Sequence, residues 1–281
     1  MTYASSNAQT LRAELGQRLR EVRTEAGLSA RALAALMGRH PSKVSRIENG
    51  AATPSVADIK LWCQHTQAGD REGELIDQLR RLEGMFVEWR RLERSGLRQF
   101  QETFVPLNYQ TRKFRAYSSW LIPGPLQTEA YTRVLLNLIA RRRGFPNDID
   151  EVMPIRARRD HALYEGDRTY AILLEEWVLR YGMGGSDVMA GQLGKLIEVA
   201  TLPNVSLGVV PTRPDRVAWS VEDFWIYDDS RMTVELVSGH LTLTQPHDVE
   251  LYARAFAQLA EQAVYGAAAR QLIADALAAL D

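Results

Sequence analysis

The sequence predicts an all-α N-terminal module followed by an α+β C-terminal domain with a mixed sheet. Three observations carry this. Apolar residues over the first 66 positions recur at spacings of three and four, punctuated by Gly, Ser and Pro; beyond residue 111, β-prone runs alternate with helical stretches. The length of 281 residues exceeds one domain at roughly 100–200 residues each. Hydrophobic residues at 46% and charged residues at 25% match a folded globular chain, which excludes wholesale disorder. The single cysteine, Cys63, excludes an intramolecular disulfide framework and a CxxC metal knuckle. The start, MTYASSNAQT, has no basic stretch followed by an apolar run, and no stretch approaches the ~18 apolar residues of a membrane span, so a cytoplasmic protein is expected.

The net charge of -1 conceals an asymmetry. Up to Thr66 the chain holds nine basic and five acidic residues; the remainder holds 25 and 30. A small basic module ahead of an acidic one is an electrostatic footprint compatible with nucleic acid at the first part, and equally with a solvated face.

Leu11, Leu15, Leu19 and Val22 line one face of a first helix, which Gly27 ends in the left-handed conformation. Ser29 caps a short second helix with Leu33, Ala34 and Leu36, stopped by Gly38. Pro41, suited to a first helical position, opens a third helix with Val44 and Ile47 inward and Ser42, Lys43, Ser45 and Arg46 outward. After Asn49-Gly50 a turn ending in Pro54 leads to a fourth helix, where Val56, Ile59, Trp62 and Cys63 keep helical spacing; Cys63 is read as core. Short helices joined by a three-residue turn describe a helix-turn-helix over residues 1–66.

Leu28-Ser29, Leu33-Ala34, Gly38, Ser42, Val44 to Glu48, Gly50 and Pro54 together resemble the xenobiotic-response-element (XRE) family of helix-turn-helix repressors. The resemblance implies a third helix in the DNA major groove, with Ser42, Lys43, Ser45 and Arg46 on its DNA-facing side. Lys43 and Arg46 suit guanine O6 and N7, while Arg39, His40 and the backbone near Thr53 suit phosphates. The family often has Gln where this chain has Ala30 and Pro41, so two polar contacts are absent and DNA shape gains weight.

Residues 67–110 read as a helical connector, with Leu75, Leu79, Leu82, Phe86 and Trp89 on one stripe and Asp77 placed to pair with Arg81. The stripe suits packing against the next domain, a dimer contact, or both. Residues 111–281 form the α+β domain. Phe114 to Ile122 is extended and breaks at Pro123-Gly124-Pro125. A helix from Leu126 to Ala140 follows, with Arg141 to Arg143 in its last turn and Gly144 closing it. Asn147 caps a helix to about Tyr164. Strands are expected at 170–174, 205–210, 224–227, 233–237 and 241–244, with helices at 186–200 and from about His247 and Gly266.

Ile122-Pro123-Gly124-Pro125-Leu126-Gln127-Thr128 with Tyr131 and Arg133, then Arg158-Arg159, Leu174-Glu175-Glu176, Leu179-Arg180, Gln192-Leu193, Pro203-Asn204-Val205 and Glu235, is similar to a domain of unknown function found behind XRE modules in filamentous soil bacteria. Pro125 stands where that family usually has Leu. The resemblance implies a transcription regulator, often encoded beside a small partner protein.

No enzyme site stands out. His40, His65, His161, His240 and His247 show no metal-ligand spacing, and Gly182 to Gly185 lacks the Lys-Ser/Thr of a phosphate loop. Glu175 and Glu176, on opposite faces of a strand, suit surface or capping roles. No cofactor or metal is expected. Trp120, Gln127, Tyr131, Trp177, Arg180 and Trp225 have the composition of a small-molecule pocket, and equally of a core. The expected partners are double-stranded DNA, a second copy of the chain, and either a small-molecule effector or a small cognate protein, with no membrane; in the protein case the apolar residues would form an exposed patch instead of a pocket.

Overall fold

The computed structural model describes residues 3–88, 97–144, 148–212 and 215–280, and of residues 3–10, 80, 81 and 83–88 the backbone alone. Arg81's side chain, Phe86, Trp89 and Asn147, which the sequence reading used, lie outside the described residues or side chains. The chain divides into two compact units, Met1–Val87 and Glu88–Asp281.

Among its described residues the first unit holds the α-helices α1 (Tyr3–Glu25), α2 (Ala30–Leu36), α3 (Pro41–Glu48), α4 (Val56–Thr66) and α5 (Glu72–Met85), with a 3₁₀ turn at Gly69–Arg71. Leu15, Leu19, Val22, Leu33, Ala34, Val44, Ile47, Ile59, Trp62 and Cys63 are buried in one cluster, as their spacing predicts. The expected stripes err at two positions. Leu36 and Val56 are exposed, and Met37 takes the inward place at the end of α2. The connector reading of residues 67–110 is also corrected. Leu75, Ile76, Leu79 and Leu82 of α5 belong to the same cluster as α1 to α4, so the stripe closes the first unit's own core. α5 packs against α1 and α4, so its apolar face covers the side that the other four helices leave open.

The second unit begins with α6 (Leu97–Gln110), the other half of the supposed connector. Its strands are β1 (Lys113–Ser118), β2 (Thr169–Glu175), β3 (Val205–Val210), β4 (Phe224–Tyr227), β5 (Arg231–Glu235) and β6 (Gly239–Leu243), in sheet order β6-β5-β4-β1-β2-β3. β1 pairs parallel with β2 and β2 with β3; β4, β5 and β6 are antiparallel, so the sheet is mixed as expected. The parallel half is crossed over by α7 (Glu129–Arg143), α8 (Ile149–His161) and α9 (Ser186–Val199); α10 (Pro246–Ala260) and α11 (Gly266–Ala278) close the chain. Phe114, facing Tyr170 and Tyr227 in register, stacks on Tyr170 at 4.6 Å and meets Tyr227 edge-on at 5.8 Å, fixing the junction of parallel and antiparallel halves. The helix expected from Leu126 starts at Glu129, because a 3₁₀ turn at Gly124–Leu126 precedes it and Thr128 caps it by accepting the Tyr131 N–H at 3.2 Å. β5 sits two residues earlier than expected, because Asp228 adopts a left-handed φ of 52° and tightens the turn.

Candidate nucleic-acid interface and a polar cleft

α3 is held from three sides. Gly38 (φ +63°) makes the turn from α2, and His40 and Pro41 start the helix, with His40 Nδ1 accepting the Ser42 N–H at 3.3 Å and meeting Ser42 Oγ at 2.7 Å. The imidazole named as a phosphate contact is thus also the helix cap. Val44 and Ile47 anchor the inner face. The buried Glu48 carboxylate accepts from Arg23 Nε at 2.5 Å and Nη2 at 2.9 Å, and from Arg20 Nε at 3.3 Å, joining α3 to α1 through a bidentate pair. α1 comes close enough for this because Gly16 lies against α3: a Cβ there would stand 2.4 Å from the Ile47 carbonyl oxygen.

A second ion-pair group ties α3 to α4. Ser55 and Asp58 form a capping box, with the Asp58 N–H donating to Ser55 Oγ at 3.1 Å and the Ser55 N–H to Asp58 Oδ2 at 3.0 Å. Asp58 is 1% exposed, and Lys43 Nζ donates to its two oxygens at 2.8 and 2.7 Å while Arg39 Nε donates to Oδ1 at 3.1 Å. Burial alone would push this carboxyl up; the Lys43 ammonium, the Ser55 N–H and hydroxyl, and Arg39 together hold it well below the usual carboxylate range.

Of the predicted DNA-contacting residues, Arg39, His40, Ser42, Ser45, Arg46 and Thr53 are exposed and Lys43 half-buried. Arg39 and Lys43 are occupied by Asp58, whereas the Arg46 guanidinium has no hydrogen-bond or ion-pair partner among the described residues. Sequence reasoning missed Asp58, although Ser-x-x-Asp before an apolar run was a usable cap signal. It also left Glu48 and Gly16 without roles, since their partners lie 25 to 32 residues away. Cys63 is core as expected, and burial with the Glu72 and Asp70 charges pushes its thiol up to about 11.

The six residues proposed as a pocket do not converge. Tyr131 is core, its hydroxyl accepting the Ile122 N–H at 3.4 Å. Trp120 and Trp177 meet edge-on at 4.6 Å on the surface, Trp120 being 55% exposed, and Arg180 sits beside Glu176 at 3.8 Å. Trp225 stacks against Tyr227 on the sheet. Gln127 alone of the six lines a cleft of about 570 Å³ formed with Pro125, Thr132, Met153, Arg156, Asp160 and Lys195. Gln127 is firmly set: its Nε2 donates to the Ile122 carbonyl at 2.6 Å, and its Oε1 accepts from Thr132 Oγ1 at 2.9 Å and Arg156 Nη2 at 2.8 Å. The surface or capping reading of Glu175 is corrected: it is buried, paired with both Arg216 Nη atoms and accepting the Tyr117 hydroxyl at 2.6 Å. Its partner, 41 residues away, left no mark in the local pattern.

The comparisons match this division. Residues 14–76 match a helix-turn-helix domain, and residues 101–275 match a domain of unknown function, DUF5753. The latter covers more than half of the chain, so the chain belongs to the DUF5753 family, with a helix-turn-helix domain ahead of it. None of the curated proteins matches. Among solved structures, the chain is similar over 81% of its length to 72% of TrmBL2, an archaeal chromatin protein described as showing a novel mode of DNA binding, at 12% identity and a TM-score of 0.34. That likeness is too slight to bear on function. No helix among the described residues is long and apolar enough to cross a membrane.

Proposed function

We propose that the protein is a cytoplasmic, sequence-specific DNA-binding transcription regulator of the XRE kind. In this reading α3 lies in the major groove, two copies act together, and the second unit dimerises and receives a signal; no catalytic role is assigned. The observation that carries it is the outward face of α3, where Ser42, Ser45 and Arg46 are exposed on a helix whose inner face and both ends are pinned. Arg46 brings an uncommitted guanidinium suited to guanine O6 and N7. Lys43 and Arg39, turned to Asp58, serve best as tethers that keep α3 at a fixed angle while adding positive charge near phosphates.

Selection of duplexes from random DNA by the full chain tests this. An enriched inverted repeat with half-sites about 34 Å apart is expected; no enrichment, or a single unpaired half-site with a monomer in light scattering, removes the reading. The second reading, that the second unit docks a small protein, is favoured by Val217, Trp219 and Val221, exposed at alternate positions of one segment.

A further inference from the structure

The cleft beside Gln127 is lined by one buried cation that forms no ion pair among the described residues. Most of its ionic groups are paired internally. Arg133 donates to Asp150 at 2.6 Å and Glu129 at 3.3 Å, and Lys195 holds Glu198 at 3.1 Å. Arg156 differs. It is 8% exposed, lines the cleft, forms no ion pair among the described residues, and makes its one side-chain hydrogen bond to the neutral Gln127 amide oxygen. Its Nε has no hydrogen-bond partner among the described residues.

A second guanidinium crowds it. The Cβ that Gly124 lacks would stand 2.9 Å from Arg156 Nη2 and 2.5 Å from Arg159 Nη2, so both cations converge over this glycine of the Pro-Gly-Pro turn. Like charges this close in a buried setting cost free energy unless an anion sits between or beside them. Asp160, one turn beyond Arg156, pairs with Arg159 at 3.6 Å, and among the described residues its Oδ1 has no hydrogen-bond partner. The charges of Arg143, Arg156 and Arg159 all bear on Glu235, which forms no ion pair with Arg156 among the described residues. Burial, with Arg159 beside it, brings the Arg156 guanidinium down to about 9, and burial pushes the Asp160 carboxyl up against the pull of the two guanidiniums.

We propose that this cleft binds a small anionic metabolite bearing a carboxylate or phosphate, with Arg156 as its counter-ion, Asp160 as a polar partner, and Pro125, Met153 and Tyr164 as walls. A volume of about 570 Å³ falls within the ~300–1,000 Å³ of small-molecule sites. The proposal names the signal class and its site, and to that extent rests on the regulator reading.

The test titrates the full chain with succinate and with inorganic phosphate at constant ionic strength, with putrescine as a cationic control, followed by thermal unfolding and calorimetry. Succinate or phosphate is expected to raise the unfolding midpoint with concentration while putrescine does not. Arg156→Gln should weaken binding by about tenfold or more, the loss of a charge-assisted contact. Arg158→Gln, an exposed neighbour on α8, should bind as wild type. Should Arg156→Gln fail to fold, Met153→Glu places a carboxylate one turn from Arg156 and should abolish anion binding by occupying it from within. Neither anion binding, or equal binding by wild type and these variants, overturns the site. Anion binding that leaves affinity for the selected DNA unchanged supports the site and removes the signalling reading.

Discussion

Asp58 shows how much one buried carboxylate can organise. It caps α4, and through Lys43 and Arg39 it governs where two of the basic side chains of the α2–α3 region point. Lys43→Ala is therefore expected to cost about 1–3 kcal/mol of stability by removing the one ammonium that donates to both oxygens of a buried carboxylate, leaving Arg39 and Ser55 as its remaining donors, whereas Arg46→Ala should leave stability unchanged and weaken binding to the selected DNA by about 1–3 kcal/mol. Chemical denaturation beside band-shift titration separates them; if Lys43→Ala costs DNA affinity alone, its ammonium leaves Asp58 for a base. The same carboxylate sets an acid limb. Its folded-state pKa lies below the unfolded value of about 4, so the stabilisation is present above that value and is lost as pH falls through it toward the folded one. Asp58→Asn should be less stable at pH 7 and show a shallower decline between about pH 5 and 2. An unchanged slope would place the acid sensitivity elsewhere.

Between elements, the contact of α1 with α3 is decided by the absence of a side chain. Gly16 lets the α1 backbone approach the Ile47 and Glu48 carbonyl oxygens, and Gly50 (φ +65°) comes within 2.9 Å of the Ala13 backbone at its would-be Cβ. Closeness there brings Arg23 onto Glu48, so packing and ion pairing depend on one spacing. Gly16→Ala offers a better helix former but must push two backbones apart; a net loss of about 1–3 kcal/mol is expected from denaturant unfolding. A stabilised variant would mean that the helices part without cost. Helix existence was legible in the sequence, because Leu15, Leu19 and Val22 mark a face by spacing alone. Which helices touch most closely was not, because Gly16 has no pattern that distinguishes a packing glycine from a tolerated one.

For the whole molecule, the boundary at Val87 has a direct consequence. A fragment ending at residue 66 lacks Leu75, Ile76, Leu79 and Leu82 and leaves its core open, while one ending at 87 retains them. Circular dichroism and thermal unfolding should show a cooperative transition for 1–87 and none, or a much weaker one, for 1–66; equal cooperativity would make α5 dispensable. If two copies act together on DNA through the second unit, 1–87 should also bind more weakly than the full chain, with about half its slope of log affinity against log salt, since each neutralised phosphate contributes about 0.9. Anisotropy across a salt series measures it, and full affinity in the fragment would place dimerisation in the first unit.

By itself the sequence determined the helical module, its Ser29 cap and Gly27 and Gly38 stops, the mixed sheet, and the outward placement of Ser42, Ser45 and Arg46. These follow from periodicity, capping and turn chemistry, which act over a few residues. It did not determine that α5 belongs to the first core, that Lys43 is engaged by Asp58, that Glu175 is paired with Arg216, or that Trp120, Tyr131 and Trp225 lie apart while Gln127 meets Arg156. Those facts depend on groups brought together from distant positions in the chain. An amphipathic stripe states that a face will be buried without stating against what, and a charged residue reveals its partner only when the fold has closed around both.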